Sequence, residues 1–178
     1  FLMLMIPGWQ AMYAQQFGGN PPSERWRQIN TDTVRVIFPA GLESRARHVA
    51  ATVSYLNRNN RTSIGPKERK MSIILENRTV ESNGFVSLSP FRAVFQVTPP
   101  SDNFSLGSLD WTTLLSLHEY RHALQNMNFR SGAGRTFYDL FGDNGQAVVT
   151  NALIPDWFWE GDAVFMETAL SDQGRGRL

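Results

Sequence analysis

The chain has 178 residues, 42% hydrophobic, 19% charged and 12% aromatic, with a net charge of +1, which is the profile of one folded domain and excludes a disordered chain. The near balance of 17 basic and 16 acidic residues excludes the basic excess of an electrostatic nucleic-acid binder, so no nucleic-acid partner is expected. With no cysteine there can be no disulfide, zinc–thiolate site or thiol nucleophile, and any metal must be held by His, Asp or Glu.

The chain opens on the apolar run Phe1 to Ile6, then Pro7-Gly8, and reaches Ala11-Met12-Tyr13-Ala14. Residues 1–14 read as the remnant of a secretory signal peptide, with a short buried helix as the alternative. The expectation is an exported protein, periplasmic, at the cell surface or extracellular. No later stretch approaches the ~18 apolar residues of a membrane span, so none is expected in the mature chain. Residues 15–25 are rich in Gly, Asn, Pro and Gln and read as a linker, which leaves 26–178 as the folded domain.

Within that domain, Thr33 to Phe38 alternates polar and apolar residues and stops at Pro39, the pattern of a half-buried strand. Glu43 to Leu56 places Val49, Val53 and Leu56 on one helical face, and His48 on the same helix reads as a solvated residue. Met71–Leu75, Gly84–Leu88 and Ala93–Val97 read as further strands bounded by Asn, Gly and Pro turns. From Trp111 the spacing becomes helical, with Leu114, Leu115, His118 and His122 on one course and Asp110 or Ser108 as N-cap. Asn128 to Gly145 reads as a long loop with one helical turn at Thr136–Phe141, and Gly132–Arg135 as a flexible turn. A last helix follows Pro155 and runs to about Leu170. The fold class that follows is α+β, a small twisted mixed sheet of about four strands packed on helices.

His118-Glu119-Tyr120-Arg121-His122 is an HExxH sequence. Residues i and i+4 project from one face of a helix, so two imidazoles can occupy adjacent corners of a zinc tetrahedron. Glu119 then stands where it can reach an activated water as general base. A catalytic zinc needs a third protein ligand and an open position. The best candidate is Glu160, which sits early in an apolar, Trp-rich helix where an unpaired charge facing the core would be costly. Gly161 allows that helix a close approach or is a simple packing contact. Trp157, Phe158 and Trp159 read chiefly as core.

HEYRH followed by Trp157-Phe158-Trp159-Glu160-Gly161-Asp162-Ala163 resembles the gluzincin metallopeptidases, the peptidase MA-like zinc proteases, over Trp111 to about Glu167. The resemblance implies a zincin-like fold, with the HExxH helix beneath the sheet and the glutamate-ligand helix beside it. It implies one Zn²⁺ per chain held by His118, His122 and Glu160, with Glu119 as catalytic base and a peptide or protein as substrate. Glu167, two turns beyond Glu160, matches a glutamate of the aminopeptidase-like members and is expected to support a ligand histidine, a surface ion pair being the alternative. Gly84, Phe85 and Val86 are expected to form either the edge strand that pairs with an extended substrate or a plain structural edge. The family's oxyanion-stabilising Tyr or His is expected beyond Leu178, with Tyr138 a substitute candidate. The interval from His122 to Glu160 is about twice that of the commonest gluzincins, and the G-x-M-x-N element of aminopeptidases is missing before HExxH. The opening residues and the first strand also resemble exported bacterial proteins in which such a domain precedes further C-terminal domains. The competing expectation is a non-catalytic binding or recruitment module with a vestigial or structural zinc site.

Overall fold

A computed structural model of the chain describes residues 19–60, 64–101 and 108–177. The signal-peptide reading of residues 1–14 and the first part of the linker lie outside the described residues. The elements run β1 (Trp26–Asn30), β2 (Val34–Pro39), α1 (Glu43–Asn60), β3 (Met71–Glu76), β4 (Gly84–Leu88), β5 (Phe91–Gln96), α2 (Trp111–Asn128), α3 (Gly132–Leu153) and α4 (Asp156–Ala169), followed by a short 3₁₀ turn at Arg175–Arg177. Together they form an α+β domain of one five-stranded mixed sheet and four helices.

The sheet order is β1-β2-β3-β5-β4. β2, β3 and β5 run parallel, and β1 and β4 add antiparallel edges. Parallel neighbours need a crossover, and α1 supplies it between β2 and β3. Alternation decides which face is buried: Val34, Val36 and Phe38, Met71, Ile73 and Leu75, and Ala93, Phe95 and Val97 point into one core. Ala46, Val49, Val53 and Leu56 of α1 and Leu115, Leu117, Tyr120 and Leu124 of α2 close over it. The opposite face carries a polar row in register, Arg35, Ser72, Arg92 and Ser87. α4 meets α2 rather than the sheet, so its position is set by the helix that carries HExxH.

Four sequence expectations change. β1 is a fifth strand whose residues are mostly exposed, so it had no burial pattern to reveal it. Gly132–Arg135 and most of the expected loop belong to α3, which breaks only at Gly142, where φ is 67°. Glycine there tolerates a left-handed turn without ending the segment. The helix gains what its composition lacks from Arg135–Asp139 one turn apart and from Arg130, which reaches Asp143 and Gln146. Gly161 faces open space, so it serves no close helix contact, and Trp157 is 74% exposed, which removes it from the core. Among the described residues no helix is long and apolar enough to cross a membrane.

Asp110 is the N-cap of α2, its Oδ2 accepting from the Thr112 and Thr113 amides at 3.1 and 3.2 Å. Those amides have no partner within the helix. Asp110→Ala is expected to destabilise the domain by about 1 kcal/mol in urea unfolding, and Asp110→Asn by much less.

Candidate metal centre

α2 presents His118, Glu119 and His122 to a cleft of about 520 Å³, the size of a substrate site. The two Nε2 atoms lie 3.0 Å apart. Glu160 approaches from α4, with one oxygen 3.2 Å from His118 Nε2 and the other 3.5 Å from His122 Nε2. These three residues offer ligand atoms all within 4.8 Å of one another, and among the described residues they alone form such a group. Glu160 is 63% exposed. It faces the open cleft and not the core, so the burial reasoning that singled it out was misplaced although the residue arrives at the histidines.

The far side of each ring fixes which nitrogen carries the proton. His118 Nδ1 lies 2.6 Å from Glu167 Oε1, and Glu167 is fully buried. Burial acts to raise the Glu167 pKa, but bonds from Arg175 and His118 outweigh it and hold the carboxyl below its usual value. Arg175 Nη2 also lies 2.9 Å from Nδ1, but Arg175 donates to both Glu167 oxygens, and because an ionised carboxylate only accepts, His118 Nδ1 donates to it. Glu167 thus bonds the His118 ring from a buried position and is no surface ion pair. His122 Nδ1 lies 2.7 Å from Gln125 Oε1. The Gln125 amide nitrogen donates to Asp162 Oδ2 at 2.7 Å and to the Trp159 carbonyl at 3.1 Å. Both of those partners are acceptors, which turns the amide oxygen toward the ring and makes His122 Nδ1 a donor too. Asp162 is held in turn by two bonds from the buried Arg121, at 2.6 and 2.7 Å.

When both rings are neutral, their protonated Nδ1 atoms leave two Nε2 lone pairs and a carboxylate facing one another. Such an arrangement of acceptors is repulsive until a cation sits among them. Two imidazole nitrogens and one carboxylate oxygen form a donor set suited to zinc, and their spacing brackets the roughly 3.3 Å between ligands of a tetrahedral ion. His122 carries a lowered pKa, chiefly from burial, which favours the neutral ring that metal binding needs. At His118 burial acts the same way but is outweighed by the Glu167 bond and the Glu119 and Glu167 charges, which raise its pKa, so a cation there competes with a proton.

Glu119 is 4% exposed, and its Oε2 has no hydrogen-bond partner among the described residues. Burial, opposed by His118 and reinforced by Glu160 and Glu167, pushes its pKa up to about 7. Gly84 makes this geometry feasible. It closes the register row Leu75, Phe95, Gly84, directly beneath α2. A Cβ on Gly84 would lie 2.8 Å from Glu119 Oε1 and 2.7 Å from Leu115 Cδ2.

The structure brings His118, Glu119, His122, Glu160 and Glu167 together, with Gly84, Phe85 and Val86 on the cleft wall. It separates two others. Tyr138 stacks under Arg130, 3.5 Å from the guanidinium to the ring centroid, and does not line the cleft. His48 is exposed and meets Thr113. Sequence reading missed Gln125, Asp162, Arg121 and Arg175. Only Gln125 carried a local signal, its i+3 spacing from His122. The chain matches no protein-family model, curated protein or solved structure.

Titrating chelator-stripped protein with Zn²⁺ is expected to give near-stoichiometric binding in the wild type and a large loss in Glu160→Ala. Gln125→Leu, which removes the Nδ1 acceptor but no ligand, is expected to weaken binding about 10- to 100-fold. Equal binding in all three proteins would dismiss the centre.

Proposed function

We propose that this chain is a zinc metallopeptidase domain of the gluzincin, peptidase MA-like kind, with a zincin-like fold, exported from the cell and acting on peptides or proteins. The observation that carries this reading is the convergence of His118 Nε2, His122 Nε2 and the Glu160 carboxylate beside a buried, unpartnered Glu119 oxygen. A bound zinc ion supplies Lewis-acid polarisation of a carbonyl and lowers the pKa of water toward neutrality. Everything else is the work of this chain's residues. Glu119, with a pKa near 7, accepts a proton from the attacking water and returns it to the departing amine. Its burial beneath Gly84 holds the carboxylate in one place and keeps bulk water from competing for it.

The substrate backbone is aligned by β4, an edge of the sheet. The Asn83 carbonyl accepts from the Gln96 amide, which makes Phe85 and Ser87 the residues bonded to β5. The backbone groups of Val86 and Leu88, and the Gly84 carbonyl, therefore point to the free edge. An extended peptide can add there as a further strand. The competing recruitment-module reading with a structural ion requires a closed shell of four protein ligands, and only three donors converge among the described residues.

Glu119→Gln is expected to retain zinc and lower kcat/KM on peptide substrates by about 10²- to 10⁴-fold. Zinc retention with wild-type turnover would remove Glu119 from the general-base role.

A further inference from the structure

We propose that the small cavity at the far end of β4 is a substrate subsite for an acidic side chain, with Arg69 as the residue that pairs with it. The inference deepens the peptidase reading and rests on it. The cavity, about 170 Å³, has apolar walls from Leu88, Phe91 and Met127 and is also lined by three cations, Lys67, Arg69 and Arg130, and one carboxylate, Glu68. Leu88 and Asn126 line both this cavity and the main cleft, so the two are contiguous.

The three cations are not equivalent. Arg130 is engaged by Asp143 and Gln146. Lys67 Nζ donates to the Arg130 carbonyl. Arg69 lies with its guanidinium carbon 3.9 Å over the Phe91 ring, and among the described residues no carboxylate forms an ion pair with it. The neighbouring Glu68 accepts from Asn57. Partial burial and the Arg130 charge work against the charge on Arg69 and together outweigh the support it draws from Asp143 and Tyr138, so an anion in the cavity would favour the charged form. A planar guanidinium already held flat on an aromatic ring is pre-organised for a two-point bond to a carboxylate. The apolar walls suit the methylene stem of a glutamate.

Charge is distributed unevenly along the combined groove. Three carboxylates, Glu119, Asp156 and Glu160, and one cation, Arg175, line the metal end, whereas three cations and the single carboxylate Glu68 line the other, so a substrate carboxylate is favoured at the far end. From Gly84, level with Glu119, to Leu88 is four residues, or about 13 Å of strand at ~3.3 Å per residue. The acidic side chain therefore belongs three or four residues from the bond that is cut.

The test uses matched fluorescent peptides with Glu or Gln at each position in turn. Their binding to the zinc-loaded Glu119→Gln protein is read by anisotropy, and their cleavage by wild type as kcat/KM. At one position the Glu peptide is expected to be favoured about 10- to 100-fold over its Gln partner, the worth of a charge-assisted bidentate pair. Arg69→Met keeps a stem over Phe91 and is expected to bring the ratio close to one, with Arg69→Lys restoring part of it. A ratio near one at every position, or a preference that survives Arg69→Met with an unchanged unfolding midpoint, overturns the subsite. Selective binding with no cleavage of any peptide by wild type would instead overturn the peptidase reading and leave the subsite standing.

Discussion

Two imidazole nitrogens held 3.0 Å apart, with a carboxylate against both, are the constraint around which this molecule is arranged. Left alone, such a cluster of acceptors would spread apart or take up a proton. Here each ring is fixed from behind. Glu167 and Arg175 hold His118, and Gln125, Asp162 and Arg121 hold His122. The supporting groups are acids, an amide and guanidinium ions placed so that each acceptor faces a donor. The pattern sends the Nδ1 protons outward and the Nε2 lone pairs inward. Second-sphere bonding of this kind orients ligands and raises their basicity.

The same contacts explain how the helices pack. Gln125 and Arg121 project from α2 and meet Asp162 and the Trp159 carbonyl on α4, while Glu167 reaches back from α4 to His118. Much of the α2–α4 interface is thus polar and buried, with Phe129 packed against Phe158 and Trp159 at one end. Buried polar groups are costly unless fully bonded, so the interface admits essentially one arrangement. That arrangement delivers Glu160 to the histidines while leaving its side chain open to the cleft. Because Glu160 is exposed on a rigidly held helix, one side of the cluster stays open to the cleft.

The sheet contributes at a single point. α2 crosses the edge strand where Gly84 has no side chain, so Glu119 is pressed against backbone and shielded from water. Burial makes the carboxylate a stronger base than a solvated glutamate, and the neighbouring strand is a sheet edge with backbone groups unpaired among the described residues. Past Leu88 the groove lining changes from mostly acidic to mostly basic.

How much of this was legible in the sequence follows from the range of the interactions. HExxH was legible because its geometry is local: the helical repeat alone brings positions four apart onto one face. The central strands and the apolar face of α1 were legible for the same reason, since burial on one side imprints a period of two or 3.6. β1 had no buried face to imprint, and α3 was hidden by glycines that read as a loop. Glu160 could be nominated by its helix and by resemblance, yet its exposure was misjudged, because which face of α4 turns to the cleft depends on the packing against α2. Gln125, Asp162, Arg121 and Arg175 act through partners up to 41 residues away, and Gly84 matters only because α2 lies over it. Sequence by itself determined the donor atoms and the local helix that pairs two of them. The protonation pattern, the third donor's orientation, the shielding of Glu119 and the placement of Arg69 were decided by tertiary structure, since each depends on contacts between segments that no local period records.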